Sequence, residues 1–127
     1  MSGYTIKNLH EVEDSAPRFG FGEMQEARFA QRDLDAERTG LSLHRVKPGR
    51  RQGFAHRHDE AEEVYVVLSG SGRMKVGDDV VDVRPLDAIR VAPSVVRAFE
   101  GGPEGLEVLA FGPHHEGDGE IVPGAWD

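Results

Sequence analysis

The chain has 127 residues, a formal charge of −8 and no cysteine, a size that fits one domain around one core. Its 15 Lys and Arg are scattered among 23 Asp and Glu, which excludes the basic footprint of a nucleic-acid binder. Without thiolates there is no disulfide framework, and any metal must be held by imidazole and carboxylate.

The N-terminal stretch MSGYTIKNLHEVED has neither the basic region nor the apolar core of a signal peptide, and no apolar run approaches the ~18 residues of a membrane span. A cytoplasmic location and no membrane partner are the expectation. Further on, EMQEARFAQRDLDAER is rich in helix formers, but Met24, Ala27, Phe29, Ala30 and Leu34 make no single stripe, so a strand near 26–30 is predicted in place of a helix.

After residue 40 the apolar residues recur with period two, in short runs broken by Gly, Pro and Asp, the pattern of a small all-β domain. The predicted strands are LSLHRV (41–46), EVYVVL (63–68) ahead of SGSG, and RMKV (73–76), which turns through GDD into VVDV (80–83). DAIRV (87–91), VVRAF (95–99) ahead of EGGPEG, and LEVLAF (106–111) complete the set. Their spacing fits a sandwich or barrel. Residues 112–127 read as an irregular tail, with Ile121, Val122 and Trp126 as its anchors.

The chemistry gathers in GFAHRHDEAEEVYVVLSGSG, residues 53–72. In an extended segment alternate side chains share a face, so His56 and His58 converge while Ala55 and Arg57 point away. On the next strand Glu63, Tyr65 and Val67 share one face, and Val64, Val66 and Leu68 the other. Glu63 thus completes a two-histidine, one-carboxylate set, the facial arrangement that leaves open positions on a divalent ion. Exposed strand edges also carry His-x-His by chance, so spacing alone leaves surface decoration open.

This stretch resembles the first motif of the cupin family: Gly, five residues, His-x-His, three or four residues, Glu, six residues, Gly. His56, His58, Glu63 and Gly70 match, whereas the leading glycine falls one position early, at Gly49, with Arg50 in its place. The likeness spans about residues 40–111 of a single domain that occupies 1–127. It implies an all-β double-stranded β-helix, a jelly-roll barrel with His56, His58 and Glu63 pointing inward as ligands of iron, nickel, manganese or zinc.

The family's second motif is degenerate. Aligned on Pro85, Asp87 and Pro93, it has Leu86 and Ser94 where Gly is usual, Ala92 for Pro, Gly101 for Asn, and Arg97 for the fourth ligand, His. A permanently protonated guanidinium is no substitute for a neutral imidazole on a metal. Facing inward with Phe99, Arg97 would bind a small anionic ligand, pair with Glu63, or anchor an acidic substrate beside a three-ligand metal. A one-residue slip would put it on the surface instead.

Tyr65 and Phe99 are expected at the cavity wall, His44 as a hydrogen-bonded, partly buried strand histidine, and His114 and His115 near the mouth. Two functions follow: a metal-binding cupin, acting as an enzyme or not, or a metal-free cupin that binds an anionic molecule through Arg97. Apolar residues on both faces of VYVVL suggest a homodimer.

Overall fold

The computed structural model describes residues 3–126. Two short 3-10 turns, Leu9–Glu11 and Ala16–Phe19, lead into eight strands. These are β1 (Gln25–Phe29), β2 (Thr39–Val46), β3 (Ala55–His58), β4 (Glu63–Val76), β5 (Asp79–Val83), β6 (Ala88–Val91), β7 (Arg97–Pro113) and β8 (Gly119–Val122). Among the described residues no helix is long and apolar enough to cross a membrane.

The N-terminal segment that helix propensity disputed is a strand, β1, paired antiparallel with β2 from Gln25↔Val46 to Phe29↔Ser42. Tertiary pairing outweighs the weak helix preference of Glu, Gln and Ala because each residue of the pair gains a ladder partner. Asp14 holds the preceding segment against it, its Oδ1 accepting from the backbone N–H of Ala16 at 3.0 Å and of Ala27 at 2.9 Å.

Two expected breaks are absent. SGSG and EGGPEG do not end strands; they lie inside β4 and β7, where the pairing slips between Val67 and Ser69 and again between Gly70 and Gly72. Bulges of this kind bend a strand without ending it. Each long strand therefore serves two neighbourhoods. The first half of β4 lies between β6 and the second half of β7, and its second half lies between β5 and the first half of β7. That double use curls the sheet into the jelly-roll barrel that the sequence suggested.

The alternation in β4 follows the expected faces: Tyr65 and Val67 are buried, Val64 and Val66 are half-buried and Leu68 is exposed. The core gathers Val46, Tyr65, Val67, Met74, Val83, Val91, Phe99, Leu106, Val108 and Ala110. The C-terminal tail adds one further strand. β8 pairs with β3 from Ala55↔Val122 to His58↔Gly119. Ile121 points outward there, 65% exposed, and so does not anchor the tail; Trp126 does, lying 4.6 Å beneath the Arg51 guanidinium.

The degenerate turn ahead of β6 carries strain. Leu86 has φ +73°, the left-handed region that disfavours a residue with a Cβ, yet its backbone N–H still donates to Val67 O at 2.8 Å. Its side chain is 84% exposed, so truncation forfeits almost no packing. Leu86→Gly is expected to stabilise the protein by about 0.5–1 kcal/mol, the relief of strain exceeding the added freedom of the unfolded chain. A lower urea midpoint in Leu86→Gly would refute this.

Candidate metal centre

The barrel brings His56, His58 and Glu63 together from β3 and the start of β4, with one ligand atom of each within 4.8 Å of the others. His56 Nε2 lies 3.3 Å and His58 Nε2 3.1 Å from Glu63 Oε1. The two imidazoles are nearly perpendicular, with centroids 5.2 Å apart.

Arg97 starts β7, directly opposite His56 in the ladder. Its side chain is 0% exposed, and its donors are committed within the protein. Nε donates to the Tyr65 hydroxyl at 3.1 Å and Nη2 to Glu63 Oε1 at 2.9 Å. Nη1 donates to the carbonyls of Pro93 at 3.0 Å and Val95 at 2.7 Å. Tyr65 in turn donates to Glu63 Oε1 at 2.6 Å. Glu63 is therefore the hub of the cluster. Burial pushes its carboxyl up, but hydrogen bonds from His56, His58 and Tyr65 outweigh that and hold it well below the usual carboxylate range. Burial also raises the Tyr65 phenol, which the Glu63 charge reinforces, so it stays a donor.

Phe99 does not line the cavity that Tyr65 lines. It sits one rung deeper on β7, opposite Met74 and 2% exposed, with its ring T-shaped against Tyr65 at 5.2 Å. Sharing a face with Arg97 puts it inward; the depth of its rung makes it core. His44 accepts or donates through Nε2 to Ser42 Oγ at 2.8 Å, and burial lowers its pKa to about 4, so it is neutral at neutral pH. His114 and His115 line the mouth of a cavity of about 500 Å³ whose floor includes His58 and Glu63.

One residue of the centre carried no signal in the sequence. Asp118, in the tail just before β8, is buried and accepts from four donors. Oδ1 takes the backbone N–H of Asp59 at 3.0 Å and Glu60 at 2.8 Å; Oδ2 takes Ala61 N–H at 3.0 Å and His58 Nδ1 at 3.2 Å. Backbone donors hold its carboxyl below the ordinary value against the opposing effect of burial. An ionised carboxylate only accepts, so His58 carries its proton on Nδ1. In the neutral imidazole Nε2 then presents a lone pair, and in the protonated one it donates to Glu63 Oε1, the neighbour that raises the His58 pKa.

A lone pair 3.1 Å from a carboxylate oxygen is repulsive, and either a proton on Nε2, which Glu63 favours by raising the His58 pKa, or a metal ion between the two relieves it. Two imidazoles and a carboxylate are the donors that divalent iron, manganese, nickel and zinc accept. A carboxylate on the far nitrogen is the usual support for a ligating histidine. The residues therefore fit a divalent ion.

The family described as Cupin domain matches residues 42–111. Among solved structures, the chain resembles a cupin protein from Bacteroides fragilis at 18% identity and TM-score 0.73, covering 92% of this chain and 89% of that one. It resembles the polyketide cyclase RemF from Streptomyces resistomycificus at 23% identity and TM-score 0.75, covering 93% and 84%. An oxalate decarboxylase from Bacillus subtilis matches at 21% identity and TM-score 0.73 over 93% of this chain, which spans only 33% of that one. These likenesses establish the fold. No curated protein matches the chain by sequence.

Proposed function

The chain belongs to the cupin domain family, and from that premise we propose that it binds one divalent metal ion on His56, His58 and Glu63 and uses it to act on a small molecule in the barrel cavity. The observation that carries this is the convergence of one ligand atom each from His56, His58 and Glu63 within 4.8 Å, with the other nitrogen of His58 fixed by Asp118. When bound, the ion supplies a Lewis acid with open positions. His56, His58 and Glu63 hold it; Tyr65 and Arg97 orient Glu63 by hydrogen bonds to the same oxygen; Asp118 orients His58. In this reading Arg97 is a positioning residue in place of an anion anchor, because its donors already serve Glu63, Tyr65 and loop carbonyls.

A second reading rests on the same guanidinium. With Arg97 2.9 Å from Glu63, the carboxylate is neutralised without a metal, and the cluster becomes a polar floor for an organic ligand. Elemental analysis after anaerobic reconstitution with ferrous, manganous, nickel and zinc salts separates the two. The metal reading expects about one ion per chain, lost in His58→Ala, bound about 10–100-fold more weakly in Asp118→Ala, and more tightly in Arg97→His. Uptake by Arg97→His alone would leave the metal-free reading standing.

A further inference from the structure

Two further cavities lie beside the one at the mouth; the first shares Phe29, Ser42, His58, Glu63 and Ala110 with it, and the second touches the first. The first, about 280 Å³, runs from His44, His56, His58, Glu63 and Tyr65 up to Phe29, Phe54 and Ile121. The second, about 340 Å³, shares those same three apolar residues and continues past Phe19, Phe21 and Ala27. Together they form one slot with a polar end and an aromatic body.

The side chains around the slot already practise ring packing. Phe29 meets His44 edge-on at 5.6 Å, Phe54 tilts against His56 at 6.2 Å, and Phe21 lies 5.2 Å from Phe54. Phe29 and Ile121 are 52% and 65% exposed, on the two outer strands β1 and β8 that end the sheet path. They project beside the slot instead of into the core. A cavity of this size with apolar walls and a few convergent polar groups is the usual form of a small-molecule site.

The charge distribution of these two cavities disfavours the competing ligand class, a further arginine, Arg32, lying on the mouth cavity. No lysine or arginine apart from Arg18 lines these two cavities, and Arg18 is paired with Glu13 at 2.8 Å. A small dianion entering the slot meets Glu63 and Glu120 and finds no free cation. A planar aromatic ring finds faces and edges to pack against, with an oxygen substituent able to reach the histidine end.

We infer that the ligand of this cupin is a planar aromatic molecule bearing an oxygen function, its ring held between Phe29, Phe54 and Ile121 and its oxygen directed at the His56–His58–Glu63 cluster. The inference deepens the proposed function by naming the ligand class, and it rests on that reading for the role of the polar end alone.

The test is a titration of the ¹⁵N-labelled, metal-free protein with 2-naphthol and, separately, with oxalate, followed by amide chemical shifts. 2-Naphthol is expected to shift the amides of Phe29, Phe54, His56 and Ile121 in a saturable way, and oxalate to leave them in place. Phe29→Ser and Ile121→Ser, both at positions more than half exposed, are expected to weaken 2-naphthol about tenfold each.

Oxalate saturation at these amides without a 2-naphthol response overturns the inference. So does 2-naphthol binding that neither substitution weakens. Because the titration uses metal-free protein, failure of metal uptake leaves this result standing, and uptake of metal without naphthol binding defeats this inference alone.

Discussion

Arg97→Met is expected to lower the unfolding free energy by about 3–5 kcal/mol, the cost of removing one partner from a buried pair. The guanidinium is fully buried and donates to Glu63, Tyr65 and the carbonyls of Pro93 and Val95. Methionine fills part of the volume but leaves all of these acceptors without their donor, and it leaves the Glu63 charge in a site built for its neutralisation. Adding Glu63→Gln to Arg97→Met is expected to recover a large share of the loss, since the orphaned charge is then gone.

The pH dependence gives a second readout of the same group. The Glu63 carboxyl is held below its ordinary value of 4.5, so its contribution is fully present above that value and is lost as the pH falls below it. Urea unfolding of wild type should weaken along that acid limb, and Glu63→Gln should flatten it. A loss under about 1 kcal/mol in Arg97→Met would mean that Arg97 does not carry the cluster.

Gly70→Ala is expected to cost about 3 kcal/mol or more, from two sources that add. Gly70 has φ +82°, and a Cβ built there falls within van der Waals overlap of the Gly105 carbonyl oxygen and 3.2 Å from Leu106 Cα. Those neighbours are backbone of β7, the strand that pairs with β2, β3 and β4, so they cannot yield without disturbing the barrel. Gly117→Ala is the control. It has φ +70° with nothing within 4 Å of its Cβ, so it should cost only the backbone strain of about 1 kcal/mol. Equal losses in the two variants, measured by urea unfolding, would show that close approach at Gly70 is unimportant.

Much of the candidate site was legible before the fold was known. Period-two alternation placed Glu63, Tyr65 and Val67 on one face because the strand geometry allows nothing else. The same rule put Arg97 and Phe99 together. It said nothing of depth along the barrel, and there Phe99 departed from the cavity wall: alternation gives the side a residue faces, while its height depends on which residue of another strand lies opposite. The breaks read into SGSG and EGGPEG failed for a related reason. Glycine-rich stretches serve turns and bulges equally, and only the continuing partner strand decides between them.

The sequence by itself determined the all-β class, the faces of the strands, the donor types available to a metal and the replacement of a histidine by Arg97. These are local properties, set by spacing and by the chemistry of single side chains. Only the tertiary structure decided that Arg97 spends its donors on Glu63, Tyr65 and loop carbonyls, and that Asp118 from the far end of the chain orients His58. It alone brought Phe29 of β1, Phe54 just ahead of β3 and Ile121 of β8 to one cavity wall. Hydrogen-bond partners some 30 to 60 residues apart in the chain leave no periodic trace, because their meeting depends on how the long strands bend.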